Sequence, residues 1–191
     1  MKALDRWLQS WRIRKARPFI AGGARVLDVG CADGALFRQL GGRIGEGVGL
    51  DPELGSPVER PGYRLVPGSF PEDLEGEAPF DVITMLAVLE HIPAEGQQRM
   101  ARGCSKHLRP GGHLVVTTPS PLVDPILDIL AALRVIDGMS LDQHYGFEPE
   151  ETPRIFSGHD LRLVKARRFQ LGLNHLFVFR QDAESPKTGG E

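Results

Sequence analysis

The stretch from Arg25 to Gly34, RVLDVGCADG, decides how the rest of the chain is read. Val26, Leu27 and Val29 make a short apolar run with the β-branched content of a buried parallel strand. The run stops at Gly30, and Gly34 opens a new apolar-periodic segment through Ala35, Leu36 and Leu40. The order is therefore strand, glycine-rich turn, helix. Without Cβ atoms, Gly30 and Gly34 let a ligand approach main-chain N–H groups where the helix begins. Asp28 places a charge at the end of a strand that otherwise reads as core, so it requires a partner, either the loop's own amides or a ligand. In isolation the turn reads equally well as a plain connection.

A second strand end adds to it. Val48, Gly49 and Leu50 form another apolar run that ends in Asp51, 21 positions after Gly30. An acid at the tip of the second strand, roughly 20 residues on, is placed to hold a ribose diol. The glycine turn reads G-x-x-x-G, so the pyrophosphate cradle of a dinucleotide site is not spelled out. A nucleoside without a pyrophosphate fits better.

RVLDVGCADG followed by GVGLD resembles the first two motifs of class I S-adenosylmethionine-dependent methyltransferases. Phe80–Pro93 (FDVITMLAVLEHIP) and Leu108–Ser120 (LRPGGHLVVTTPS) resemble that family's fourth-strand motif and its post-helix turn and fifth strand. The likeness runs from about Ala24 to Phe179. It implies an α/β fold: a doubly wound, mostly parallel seven-stranded sheet, Rossmann-like, with an antiparallel last strand. It implies S-adenosyl-L-methionine as cofactor, held by Asp28, Gly30, Cys31, Gly34, Asp51, Pro52, Ser69, Phe70, Met85 and Leu86. Where relatives often present an acid to the adenine, this chain has Ser69, leaving recognition to the Ser69 hydroxyl, backbone groups and stacking by Phe70. Phe70 is equally readable as a core aromatic. Met85 and Leu86 are expected to offer mainly backbone atoms.

Composition agrees with one ordinary globular domain. The chain has 191 residues, 41% hydrophobic and 25% charged, with a net charge of −2 that gives no basic surplus for a polyanion. Two cysteines, no signal-peptide pattern and no long apolar span lead to the expectation of a cytoplasmic protein without stable membrane insertion. Cys31 and Cys104 lack C-x-x-C spacing and read as packed thiols.

Residues 1–20 read as an N-terminal amphipathic helix, with Leu4, Trp7, Leu8 and Trp11 at helical spacing among six Lys and Arg. Docking of the tryptophans on the domain is the plain reading; a substrate lid or a membrane-surface contact is the other. Residues 21–181 form the main domain. The proline-broken PELGSPVERPG after Asp51 leaves room for a turn or two rather than a helix. Tyr63–Val66 reads as the third strand, Pro93–Leu108 as a helix closed by Arg109-Pro110-Gly111-Gly112, and His113–Thr118 as the fifth strand. Leu161–Phe169 and His175–Arg180 read as a closing antiparallel pair. An apolar segment inserted at about 121–147 is expected to act as a lid over the acceptor, and the tail 182–191 to be disordered.

For catalysis, His144 beside Tyr145 is the first candidate base and His91 the second. Each has a structural alternative, bracing the lid for His144 and holding the cofactor loop for His91. Ubiquinone-pathway O-methyltransferases, which the chain distantly resembles, carry an acid three residues before the Glu-His pair and are associated with a metal. Here that position is Ala87, so no metal is expected. The resulting expectation is methyl transfer to a small, apolar or aromatic acceptor, with no nucleic acid as partner. The alternatives are a non-catalytic S-adenosylmethionine-binding protein and a nucleic-acid methyltransferase. The LAVL exit lacks the latter's Asn/Asp-Pro-Pro-aromatic motif, and a missing G-x-G-x-x-G counts against a dehydrogenase.

Overall fold

The computed structural model describes residues 3–74, 76–120 and 147–182, with side chains from residue 6 onward. Residues 121–146 of the lid expected at about 121–147, with His144 and Tyr145, and residues 183–191 of the tail expected at 182–191 lie outside the described residues.

Strands β1 (Arg25–Val29), β2 (Glu46–Asp51), β3 (Val58–Arg60), β4 (Tyr63–Pro67), β5 (Phe80–Leu86), β6 (Leu108–Pro119), β7 (Leu161–Phe169) and β8 (Asn174–Gln181) form one sheet. Their order is β3-β4-β2-β1-β5-β6-β8-β7. β4, β2, β1, β5 and β6 run parallel, and β8 is antiparallel to β6 and β7. The doubly wound plan with its antiparallel last strand is as expected. The strand number is not: eight strands replace seven, because the chain after Asp51 folds back as β3 on β4. Its prolines exclude a helix, and a three-residue edge strand uses the same residues without needing the N–H groups they lack.

Helices cover both faces. α1 (Ala3–Ala16) and α2 (Ala35–Leu40) lie on one, where Ile13, Ala16, Leu36 and Phe37 pack with Val26, Val115 and Val178. α3 (Ala94–His107) and a short helix Thr152–Phe156 lie on the other, where Met100, Cys104 and Phe156 pack with Leu27, Ile83, Leu114 and Phe179. Consecutive residues on a strand point to opposite faces, so apolar runs such as Val26–Leu27 feed both layers at once. Gly49 in β2 is required by this packing, since a Cβ there would stand 2.7 Å from Cys31 Sγ.

α1 docks Trp11 on the core while Trp7, edge-to-face with it, stays 49% exposed. A hydrogen bond ties this helix to the far end of the chain: Arg12 Nε donates to Asn174 Oδ1 at 3.3 Å. Arg109–Gly112 loops out of β6 between the pairs Phe80–Leu108 and Val82–His113. At the starts of β1, β2 and β4, Arg25 and Arg64 are both paired with Glu46 and Glu77, which pins the amino-terminal edge. No described helix is long and apolar enough to cross a membrane.

Candidate functional site

After β1 the chain moves to β2 on one side; β5 lies on the other, so strand order reverses between β1 and β5. Ligands of open parallel sheets sit at such a switch, outside the carboxyl ends of the strands. Four exits meet there: the Gly30–Gly34 loop after β1, Asp51–Pro52 after β2, Gly68–Phe70 after β4, and Ala87–His91 after β5. Two non-glycine residues in left-handed conformation, Ala32 (φ 44°) and Ala87 (φ 61°), stand in the first and last of them. Backbone strain of this kind persists only where the surroundings hold it.

Asp51 organises the edge of the site. Its Oδ2 accepts the Ala32 N–H at 2.8 Å and its Oδ1 the Glu53 N–H at 2.9 Å. An ionised carboxylate has about four lone-pair positions. Each oxygen thus keeps one acceptor position, which is what a ribose diol needs. Gly30 (φ 71°) forms the floor, its N–H bonded to Leu50 O at 2.8 Å, and a Cβ there would lie 2.5 Å from Val88 Cγ2. The cradle therefore depends on that missing carbon. These donors and acceptors fit an S-adenosyl nucleoside.

Asp28 does not reach into the loop. It is 5% exposed, and its Oδ1 accepts a hydrogen bond from Thr84 Oγ1 at 2.6 Å, across the β1–β5 boundary. Burial pushes its carboxyl up to about 7, against the Thr84 bond, and the negative charge of Asp51 adds to the rise. Sequence reading missed Thr84. It also missed Asp73, whose Oδ2 accepts the Ser69 N–H at 2.7 Å and so shapes the exit where Ser69 stands exposed in place of an acid.

Of the residues expected at the cofactor, three turn their side chains inward. Cys31 is buried beside Gly49, Phe70 lies against the His107 ring, and Met85 Sδ is 3.9 Å from Cys104 Sγ. What these residues have for a ligand is main-chain N–H and C=O. Phe70, readable from the sequence as an adenine-stacking ring or a core aromatic, is buried in the core on the α3 side. Burial raises the thiols of Cys31 and Cys104 well above the usual range, which makes them poor nucleophiles. Pro52 is exposed beside Asp51, and Leu86 is half-buried. His91 closes a 3₁₀ turn, Leu89–His91, its N–H bonded to Val88 O at 3.0 Å. Among the described residues no three His, Cys, Asp or Glu side chains gather as a metal site. A cavity of about 680 Å³ between Pro18–Ala24, Arg43 and Arg109–His113 opens at the opposite, amino-terminal edge of the sheet, away from these exits.

Comparison with known proteins agrees with this arrangement. The family model described as a methyltransferase domain matches residues 4–170. A ubiquinone biosynthesis O-methyltransferase from Acinetobacter baumannii is 27% identical over 159 residues, covering 73% of this chain and 62% of that protein. One of the same description from Xanthomonas euvesicatoria is 37% identical over 112 residues, 50% of this chain and 43% of that protein. The chain thus spans less than two thirds of the length of these relatives. Among solved structures, an N-methyltransferase from Bradyrhizobium japonicum superposes with a TM-score of 0.65 at 16% identity, over 92% of this chain and 97% of the other. A Bacillus halodurans protein described as a putative methyltransferase gives 0.67 at 12%, over 90% and 99%. With the strand order, the four converging exits and a family match over most of its length, the chain belongs to the class I S-adenosylmethionine-dependent methyltransferase domains.

Proposed function

We propose that this domain transfers the methyl group of S-adenosylmethionine to a small, apolar or aromatic acceptor. The observation that carries the reading is the convergence of Asp51 and the Gly30 cradle at the β1–β5 switch, the geometry of a nucleoside site. The names of the curated relatives, O-methyltransferases of ubiquinone biosynthesis, favour a small acceptor. The apolar character rests on the sequence between Pro121 and Phe147, with Leu122, Ile126, Ile129, Leu130 and Leu133.

When bound, S-adenosylmethionine supplies a methyl carbon already activated by a positively charged sulfur. The protein's share of the work is then alignment and exclusion of water. Asp51 fixes the ribose, and the backbone of Gly30–Gly34 and of Leu86–Val88 sets how deep the nucleoside sits. A hydroxyl acceptor of high pKa gains from a base; neutral histidine suits this near pH 7, and His144 is the first candidate, ahead of His91.

Scanning calorimetry with S-adenosylhomocysteine and with NAD separates the cofactor classes. Only the former should stabilise the fold, by about 2.7 kcal/mol at a hundredfold excess over its dissociation constant. Turnover against a panel of small phenols and amines then separates an enzyme from a binding protein. His144→Gln should slow methylation of a neutral hydroxyl and leave cofactor affinity intact; lost cofactor binding would make His144 a brace.

A further inference from the structure

At the carboxyl end of β6 and the start of β8 the interior holds polar groups with nothing to bond. Thr118 and Thr152 are fully buried and His175 is 7% exposed. Neither threonine hydroxyl nor either ring nitrogen of His175 has a hydrogen-bond partner among the described residues. Thr118 and His175 are directly paired across β6 and β8, so their side chains share a face. It is the face covered by α3, because His175 stacks in parallel on Phe177, a member of that core. Thr152 follows Glu150 by two residues, and the Glu150 carboxylate stands 3.7 Å from His175 Nε2, beyond hydrogen-bond reach.

A buried hydroxyl or imidazole left unbonded costs on the order of 1–3 kcal/mol. Several together are retained where something else satisfies them. Stability alone would favour valine at Thr118 and phenylalanine at His175, both of nearly the same shape. Their position is informative as well. β5, whose tip borders the methyl-donating site, and β8 are separated only by β6, so the two lie about 10 Å apart. His175 thus lies across β6 from the methyl-donating site, on the α3 face of the sheet.

We infer that Thr118 and His175 form a recognition subsite for an uncharged hydrogen-bonding group, such as a hydroxyl, that the acceptor carries remote from the atom it methylates. The inference rests on the small-acceptor reading above and adds a second polar end to that molecule. An uncharged group is favoured because the nearby Arg168 and Glu150 already pair at 3.0 Å. Burial, with Arg168 opposing the pull of Glu150, holds the imidazole below its ordinary value, so at neutral pH it both donates and accepts. A hydroxyl matches that pair of roles.

The test uses two probes that differ only in the remote group, 4-ethylphenol and 4-(2-hydroxyethyl)phenol, titrated into the full chain saturated with S-adenosylhomocysteine. The diol should bind about tenfold more tightly, the equivalent of one or two net hydrogen bonds. His175→Phe and Thr118→Val should each abolish that preference, leave 4-ethylphenol affinity unchanged, and melt at or above the wild-type temperature. Equal binding of the two probes by the wild type would overturn the subsite while leaving the apolar pocket standing. A preference that survives both substitutions, or a marked drop in melting temperature in both, would also overturn it, the latter making the pair a structural support. Failure of both probes to bind at all would remove the acceptor reading and the subsite with it.

Discussion

Thr84 Oγ1 and Asp28 Oδ1 stand 2.6 Å apart, a bond that joins β1 to β5 at the point where strand order reverses. Removing its donor leaves a buried acceptor unmet. Thr84→Val should therefore destabilise the fold by about 2 kcal/mol in urea unfolding. A change below a few tenths of a kcal/mol would mean that the bond contributes nothing.

The same carboxyl makes stability depend on pH. Its folded value of about 7 lies above the ordinary 3.8, so between those values the folded state holds a proton that the unfolded chain releases. Stability from this group is full below the ordinary value and is lost as pH rises toward 7. Asp28→Asn, which still accepts from Thr84, removes the loss. The stability of the variant relative to wild type should rise between pH 5 and pH 8 by on the order of 2 kcal/mol. A constant difference across that range would refute the raised value.

On the proposed reading, Asp51 offers its remaining lone pairs to the cofactor ribose. Asp51→Ala should weaken S-adenosylhomocysteine by about 3 kcal/mol, roughly a hundredfold, in isothermal calorimetry. It should also loosen the Ala32 and Glu53 turns that the carboxylate holds. Unchanged affinity would end the ribose assignment.

Gly30 combines a left-handed backbone with a side chain pressed against it. Gly30→Ala meets Val88 Cγ2 at 2.5 Å and keeps φ at 71°. The expected cost is about 2 kcal/mol or more. Adding Val88→Ala should return only the clash, with the backbone strain remaining. Complete recovery in the double variant would show that the backbone carries no strain.

The Ala87–His91 exit of β5 offers a divalent ion Glu90 and His91, a small ligand set. Turnover should survive EDTA unchanged within about twofold. Loss of activity that magnesium restores would reverse this reading.

Much of the frame was legible because its signals are local. The run Val26–Val29, its glycine stop and the acid ending β2 announce parallel strands and a nucleoside site within 27 residues. What escaped depends on neighbours distant in sequence. Thr84 reads as one more β-branched residue until β5 is laid beside β1, 56 positions away. Arg12 meets Asn174 across 162 positions, and nothing near either residue marks the pair. β3 was hidden because prolines exclude a helix without specifying what replaces it. Phe70 was ambiguous since an aromatic at a strand exit suits ligand and core equally, and its contact with the His107 ring of α3 lies 37 positions away.

Ser120 donates its N–H to Leu173 O at 2.9 Å, and Phe147 is buried in the core beneath α3 and its short neighbour. The chain between them, residues 121–146, begins and ends at fixed posts on a scaffold that already contains the nucleoside site. Closing a connection costs only about 0.6 kcal/mol more for each doubling of its length. A change in the length of the connection between the posts therefore costs little in closure entropy. On the proposed reading, in which that connection covers the acceptor, acceptor choice and cofactor binding become separately inheritable traits.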